Sequence, residues 1–272
     1  MRMSLMIIFF IGCMQAAPAQ HDKKQEAWAA IQKLADVYGK ATRLSFNVTY
    51  RYAAEEAPGT WLDSLNGRFK LNGNQYWYDI NNTESICAGG YLILLFKEDQ
   101  VMYLAKPAEP APLNIAGGPT SSLKTVAEEK LPMTNPAMAV MSAANQFEKV
   151  LKNDSTIRCS VKEINNQKRI TIEFTVPATY KKIEYYINNK TGYLEKMINV
   201  VRSDQLYDAS VQHLVDAEQS YAIVEAVYSN YRPENVDDGL FNISRYFKKE
   251  GDDYITVAPF DMYKIFLGTP NL

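Results

Sequence analysis

Between Ser45 and Leu104 the chain alternates apolar and polar side chains with a period of two, the spacing at which successive residues of a β-strand face opposite sides of a sheet. In SFNVTYRY, Phe46, Val48, Tyr50 and Tyr52 take one side, and Ser45, Asn47, Thr49 and Arg51 the other. The pattern recurs with Leu65, Gly67, Phe69 and Leu71, then with Tyr76, Tyr78 and Ile80. It returns in the second half with Ile170, Ile172, Phe174 and Val176, and again with Ile183, Tyr185 and Ile187. A sheet that is apolar on one face must cover that face, and the sequence supplies few helices to do so. The expectation is a concave sheet with room for an apolar ligand, lined by Phe46, Val48, Tyr50, Leu65, Phe69, Leu71, Tyr76, Tyr78, Ile172, Phe174, Ile183 and Tyr185.

One helix precedes the sheet. Asp22 with Gln25 has the form of a capping box, and Trp28, Ile31, Leu34, Ala35 and Tyr38 then share a face until Gly39. Strands are predicted over residues 45–52 and 61–71, with Asn72-Gly73 turning the chain into QYWYDI. YLILLF, residues 91–96, is apolar on both parities and reads as a strand covered on both faces. Residues 101–104 pair back on it. The segment 106–120, KPAEPAPLNIAGGPT, denies ladder hydrogen bonds and separates two halves of one domain. Asn135-Pro136 opens a central helix to about Lys152, whose Met138 and Met141 suit a lid over an apolar ligand. Further strands are expected at 193–201, 221–231, 240–247, 254–257 and 263–267, making about ten to twelve in all.

The N-terminus sets the compartment. LMIIFFIG is too short to span a bilayer and has the length of a signal-peptide core, and Ala17-Pro18-Ala19 suits a signal peptidase. Residues 1–19 are therefore expected to be removed, leaving a single domain over 20–272 in the periplasm. The alternative is a membrane-anchored lipoprotein, since Gly12-Cys13 has the form of a lipobox ending. A formal net charge of −2 supplies no basic field for a phosphate backbone, so nucleic acid is not an expected partner. Cys87 and Cys159 remain after removal of the leader, and spacing leaves a bridge and two separate thiols equally open.

The parts of familiar enzymes are missing. With only His21 and His213 there is no His-rich zinc site, and no GxSxG elbow, Walker loop, CxxC pair or Rossmann fingerprint occurs. Pairs such as Glu55-Glu56 and Asp237-Asp238 read as solvated turns. A catalytic site would have to unite distant residues such as Asp79, Glu173 and His213. No catalytic residue, metal site or cofactor is predicted.

The order of one helix, a strand meander containing LNGRFKLNGNQYWYDI and YLILLFKEDQVMYL, a central helix and further long strands resembles the LolA/LolB-like lipoprotein-carrier superfamily. That resemblance implies a mainly β (α+β) fold: an open half-barrel of about eleven antiparallel strands with helices as lids. It implies a carrier whose partners are lipids or lipoprotein acyl chains. A non-enzymatic module that binds an envelope protein through an aromatic patch at Trp61 and Trp77 is the alternative.

Overall fold

The computed structural model describes residues 16–107, 156–176, 179–206, 221–233 and 236–268. The predicted central helix with Met138 and Met141, most of the proline-rich segment, His213 and Cys13 lie outside these residues.

A helix, α1 (Ala16–Lys40), is followed by β1 (Arg43–Ala54), β2 (Asp63–Asn72), β3 (Gln75–Ile80), β4 (Thr83–Ala88), β5 (Tyr91–Phe96) and β6 (Val101–Ala105). The second half contributes β7 (Ile157–Ile164), β8 (Gln167–Phe174), β9 (Tyr180–Asn188), β10 (Leu194–Arg202) and β11 (Tyr221–Pro233). Two 3-10 turns, Asp238–Phe241 and Ile243–Arg245, lead to the hairpin β12 (Phe247–Glu250) and β13 (Asp253–Thr256), and then to β14 (Lys264–Leu267). Twelve strands form one sheet in the order β14-β6-β5-β4-β3-β2-β1-β11-β10-β9-β8-β7. The sheet is not closed: β14 and β7 are its two edges, giving an open half-barrel.

Local chemistry explains the meander. Two-residue turns suit the right-handed twist of paired strands when both residues take positive φ. Gly89 and Gly90 do so between β4 and β5, at φ 59° and 82°, and Asn165 and Asn166 do so between β7 and β8, at 48° and 63°. The turn after β2 falls on Gly73-Asn74, one residue later than predicted, with Gly73 at φ 58°. Helix α1 begins at Ala16, so Asp22 sits inside it rather than capping it. Its buried face is the predicted one, Ile31, Leu34, Ala35 and Tyr38, joined by Ala27.

Three expectations are corrected. The sheet is antiparallel except at one edge, where β14 runs parallel to β6 with Phe266 beside Tyr103. A parallel neighbour needs a crossover rather than a hairpin, and the segment from Val236 supplies it across the sheet. The strand expected over residues 240–247 is replaced by two 3-10 turns, and β12 begins only at Phe247. Asp237 accepts from the Gly239 amide at 2.9 Å and Asn242 from the Ser244 amide at 3.1 Å, and these local bonds close the two 3-10 turns. Trp77 is not part of an exposed patch. It is buried, and its indole donates to Glu84 at 2.6 Å.

Two cores result. The larger lies on the face that carries α1, here the inner face, where helix residues join one cluster with Leu44, Phe46, Phe69, Ile170, Ile172 and Tyr185. The smaller lies on the outer face of β3–β6, where Trp77, Ile86, Ile93, Leu95, Met102 and Leu104 are covered by Leu240, Phe241, Tyr246 and Phe247. YLILLF is apolar on both parities for this reason: Ile93 and Leu95 face the outer core, and Leu94 faces inward.

Candidate functional site

Pairing registers place the inner face row by row. One row runs Phe46, Phe69, Tyr78, Ser85, Leu94, Tyr103 and Phe266 across seven strands. On either side run Val48, Gly67, Ile80, Thr83, Phe96 and Val101, and Leu44, Leu71, Tyr76, Cys87, Leu92 and Ala105. From β1 to β6 no charged side chain stands in these rows, and on β14 Lys264 continues the second of them beside Val101. Gly67 interrupts the middle of β2 because Ile80 fills its place, with Cγ1 only 2.5 Å from where a Cβ would stand.

All twelve predicted site residues fall on this face, in one cluster. Phe46, Val48, Phe69, Leu71, Tyr78, Ile172, Ile183 and Tyr185 are buried, whereas Tyr50, Leu65, Tyr76 and Phe174 are half-buried at its margin. The buried eight are already packed against one another and α1. Phe46 and Phe69 stack with centroids 5.2 Å apart, and Phe69 touches Tyr78 at 5.4 Å. They form the floor of the fold rather than the walls of a void.

A bulge completes this floor. Asn47 pairs with Ser229 but Ser45 with Arg232, so β11 carries an extra residue, and Asn230 takes φ 55°. The irregularity turns Tyr231 to the same side as Tyr228. Tyr231 donates to the Leu194 carbonyl at 2.6 Å and lies 2.7 Å from the Tyr38 hydroxyl, tying the end of α1 to the sheet. Neither tyrosine was among the predicted site residues, because an extra residue breaks the parity by which they would be found.

The open part of the face lies toward β14. The described residues leave Tyr76, Thr83, Cys87, Leu92, Phe96, Val101 and Tyr103 half-buried, and Phe266 is 53% exposed. Leu92, Phe96, Val101 and Tyr103 also went unassigned; the alternation of VMYL and the second parity of YLILLF were the signals that could have found them.

Burial keeps this face neutral. It pushes the Tyr50 phenol up to about 12, the Cys159 thiol up to about 11, and the phenols of Tyr76 and Tyr185 well above the ordinary value. Cys87 is raised by the same cause. The two cysteines are separate thiols, on β4 and β7.

The outer face is polar where the second core does not cover it. A groove of about 740 Å³ there is lined by Arg51, Gln167, Asn188, Lys196, Glu225 and Ser229, and none of the twelve predicted residues borders it. Asp79 and Glu173 are not brought together: β3 and β8 stand six strand spacings apart in the sheet. Asp79 instead binds Lys97 at 2.5 Å and Arg68 at 2.6 Å. Burial opposes its charge, but these two cations prevail and hold its carboxyl below the ordinary value. Among the described residues, no group of three or more His, Cys, Asp or Glu is placed to hold a metal. No described helix is long and apolar enough to cross a membrane.

No family model and no curated protein matches the chain. Among solved structures it is similar to an uncharacterized conserved protein from Thermus thermophilus, at TM-score 0.41 and 7% identity over 89% of this chain and 98% of that one. It is similar to lipoprotein LppX from Mycobacterium tuberculosis, at TM-score 0.36 and 10% identity over 78% and 98% of the two chains. It is also similar to a LolA superfamily protein from Nitrosomonas europaea, at TM-score 0.32 and 13% identity over 79% and 97%.

Proposed function

We propose that this is an exported protein that holds an apolar ligand, such as the acyl chains of a lipid or lipoprotein, against the open part of its inner face. The observation that carries the reading is the contrast within one face. From β1 to β6 its rows hold no charge, yet α1 packs chiefly beside β7 and β8, and Tyr76, Leu92, Phe96, Val101, Tyr103 and Phe266 stay partly uncovered around the buried Ser85 and Leu94. Apolar area left in water costs about 25 cal/mol per Å², so a face of this kind gains by taking an apolar guest. The neutral phenols and thiols nearby supply no partner for a charged headgroup, so the polar end of a ligand belongs at the rim.

Titration with a fluorescent fatty acid tests this. Phe96→Asp, on the open inner face, should abolish binding, because it places a carboxylate among apolar neighbours without a partner. Thr49→Asp, on the outer face of β1, should leave binding unchanged. Equal titration curves for both variants and the parent protein would remove the reading. A protein-interaction module loses the support it would draw from an aromatic patch, since Trp77 is buried and only Trp61 is exposed.

A further inference from the structure

We infer that the outer face of β1 and β7–β11 docks onto an anionic lipid surface. This goes beyond the inner-face reading and does not depend on it. The chain as a whole carries −2, but its charges are arranged in two layers on this face. Glu184 and Glu225 lie beneath, with side chains 3% and 11% exposed, while Arg169, Lys182, Lys196 and Arg51 lie above them, each between 34% and 42% exposed. Arg169 and Lys182 reach Glu184 at 2.7 and 3.3 Å; Arg51 and Lys196 approach Glu225 at 3.6 and 3.8 Å. Four cations thus stand over two carboxylates.

The cations are also fixed in place. Lys196 sits 4.4 Å and Arg169 5.4 Å from the Tyr186 ring centroid, and Tyr186 donates to Glu184 at 2.9 Å. Arg158 and Lys162 extend the basic layer along β7 on the same parity, and Arg68 and Lys70 extend it along β2; Glu173, Glu195 and Asp79 offset part of it. The arrangement leaves eight cations over five carboxylates on this face, an excess that supplies the field attracting phosphate-bearing headgroups.

One end of the layer is apolar. Arg51 lies 5.7 Å from the ring of Trp61, which is 36% exposed beside Leu62 at 63%. Tryptophan settles at membrane–water boundaries because its ring is apolar and its N–H polar. Cations spread over several strands with a Trp-Leu pair at one end match a lipid surface, where headgroup charge and an apolar layer lie side by side. An acidic protein or a soluble polyanion offers only the charge.

The test is co-sedimentation of the mature protein with vesicles containing phosphatidylglycerol, against vesicles of phosphatidylcholine alone. Binding to the first, little to the second, and weakening with added salt are expected. The double variant Arg158→Glu, Lys162→Glu, whose side chains are exposed on the edge strand, should lower partitioning by at least about tenfold while the melting curve stays put. Trp61→Ala should lower it by a smaller factor and leave the salt dependence intact. Equal binding to both vesicles, an unaffected double variant, or retention on heparin without vesicle binding would each overturn the inference. The first outcome would point to apolar contact alone, the last to an acidic macromolecule. Phe96→Asp separates this from the inner-face reading, since it should abolish fatty-acid binding and leave vesicle partitioning as it was.

Discussion

The two ends of the inner face are built from the same alternation but finished differently. Toward β7, α1 lays Ile31, Leu34 and Tyr38 on the strands, and Ile157, Ile170 and Ile172 are wholly buried. Toward β14, Leu92, Phe96, Val101 and Tyr103 stay half-buried around the buried Ser85 and Leu94, and among the described residues the covering chain lies on the opposite side, where the stretch from Val236 to Phe247 seals the outer core. A strand pattern therefore fixes which side chains share a face but not which face is covered; the covering segments decide whether apolar residues become core or binding surface.

The sharpest way to break this comparison is one substitution made at both ends of the gradient. Phe69→Asp puts a carboxylate at a fully buried position and should cost more than about 4 kcal/mol in urea unfolding, whereas Phe96→Asp should cost less than half of that because water can reach it. Similar losses would mean the open part is as closed as the rest. Gly67→Val comes next. Its side chain would collide with Ile80 and Val48, and such overpacking costs about 1–3 kcal/mol. An unchanged midpoint would show that the two side chains can move aside.

Smaller effects probe the pins of the closed end. Tyr38→Phe removes the hydroxyl beside Tyr231 and should cost about 1 kcal/mol, with no change in fatty-acid affinity at the far end. The smallest effect is on pH dependence. Burial works against the charge of Glu184, but Arg169, Tyr186 and Lys182 outweigh it and hold its carboxyl below the ordinary value of 4.5. Its contribution is complete above that value and lost as pH falls through the lower folded value, so Glu184→Gln should flatten the acid limb of a stability profile. An acid limb identical to that of the parent protein would show that other carboxylates dominate.

The parity of β1, β2, β3, β8 and β9 was legible because Phe46, Phe69, Tyr78, Ile172 and Tyr185 are large residues at strict spacing. β4 was not, since Thr83, Ser85 and Cys87 are small and its outer side carries Glu84, which the Trp77 indole satisfies. β7 also passed unassigned, its RCSVKE stretch mixing small and charged residues. The parallel edge was invisible for another reason. Nothing in Lys264–Leu267 specifies a direction; that depends on the path of the chain over the outer face. The predicted site, Phe46 through Tyr185, lies where the alternation is strongest, yet strong alternation also marks the best-packed floor. The more open residues lie where the pattern is doubly apolar or short.

Cys87 offers the most direct measurement. It stands on the inner face between Tyr76 and Leu92 and is partly exposed, whereas Cys159 is buried near α1. Alkylation of the purified protein, followed by peptide mass spectrometry with and without a saturating long-chain fatty acid, should show Cys87 protected by the ligand and Cys159 unchanged and slow throughout. Bound fatty acid with Cys87 reacting at its original rate would contradict an apolar site on the open inner face.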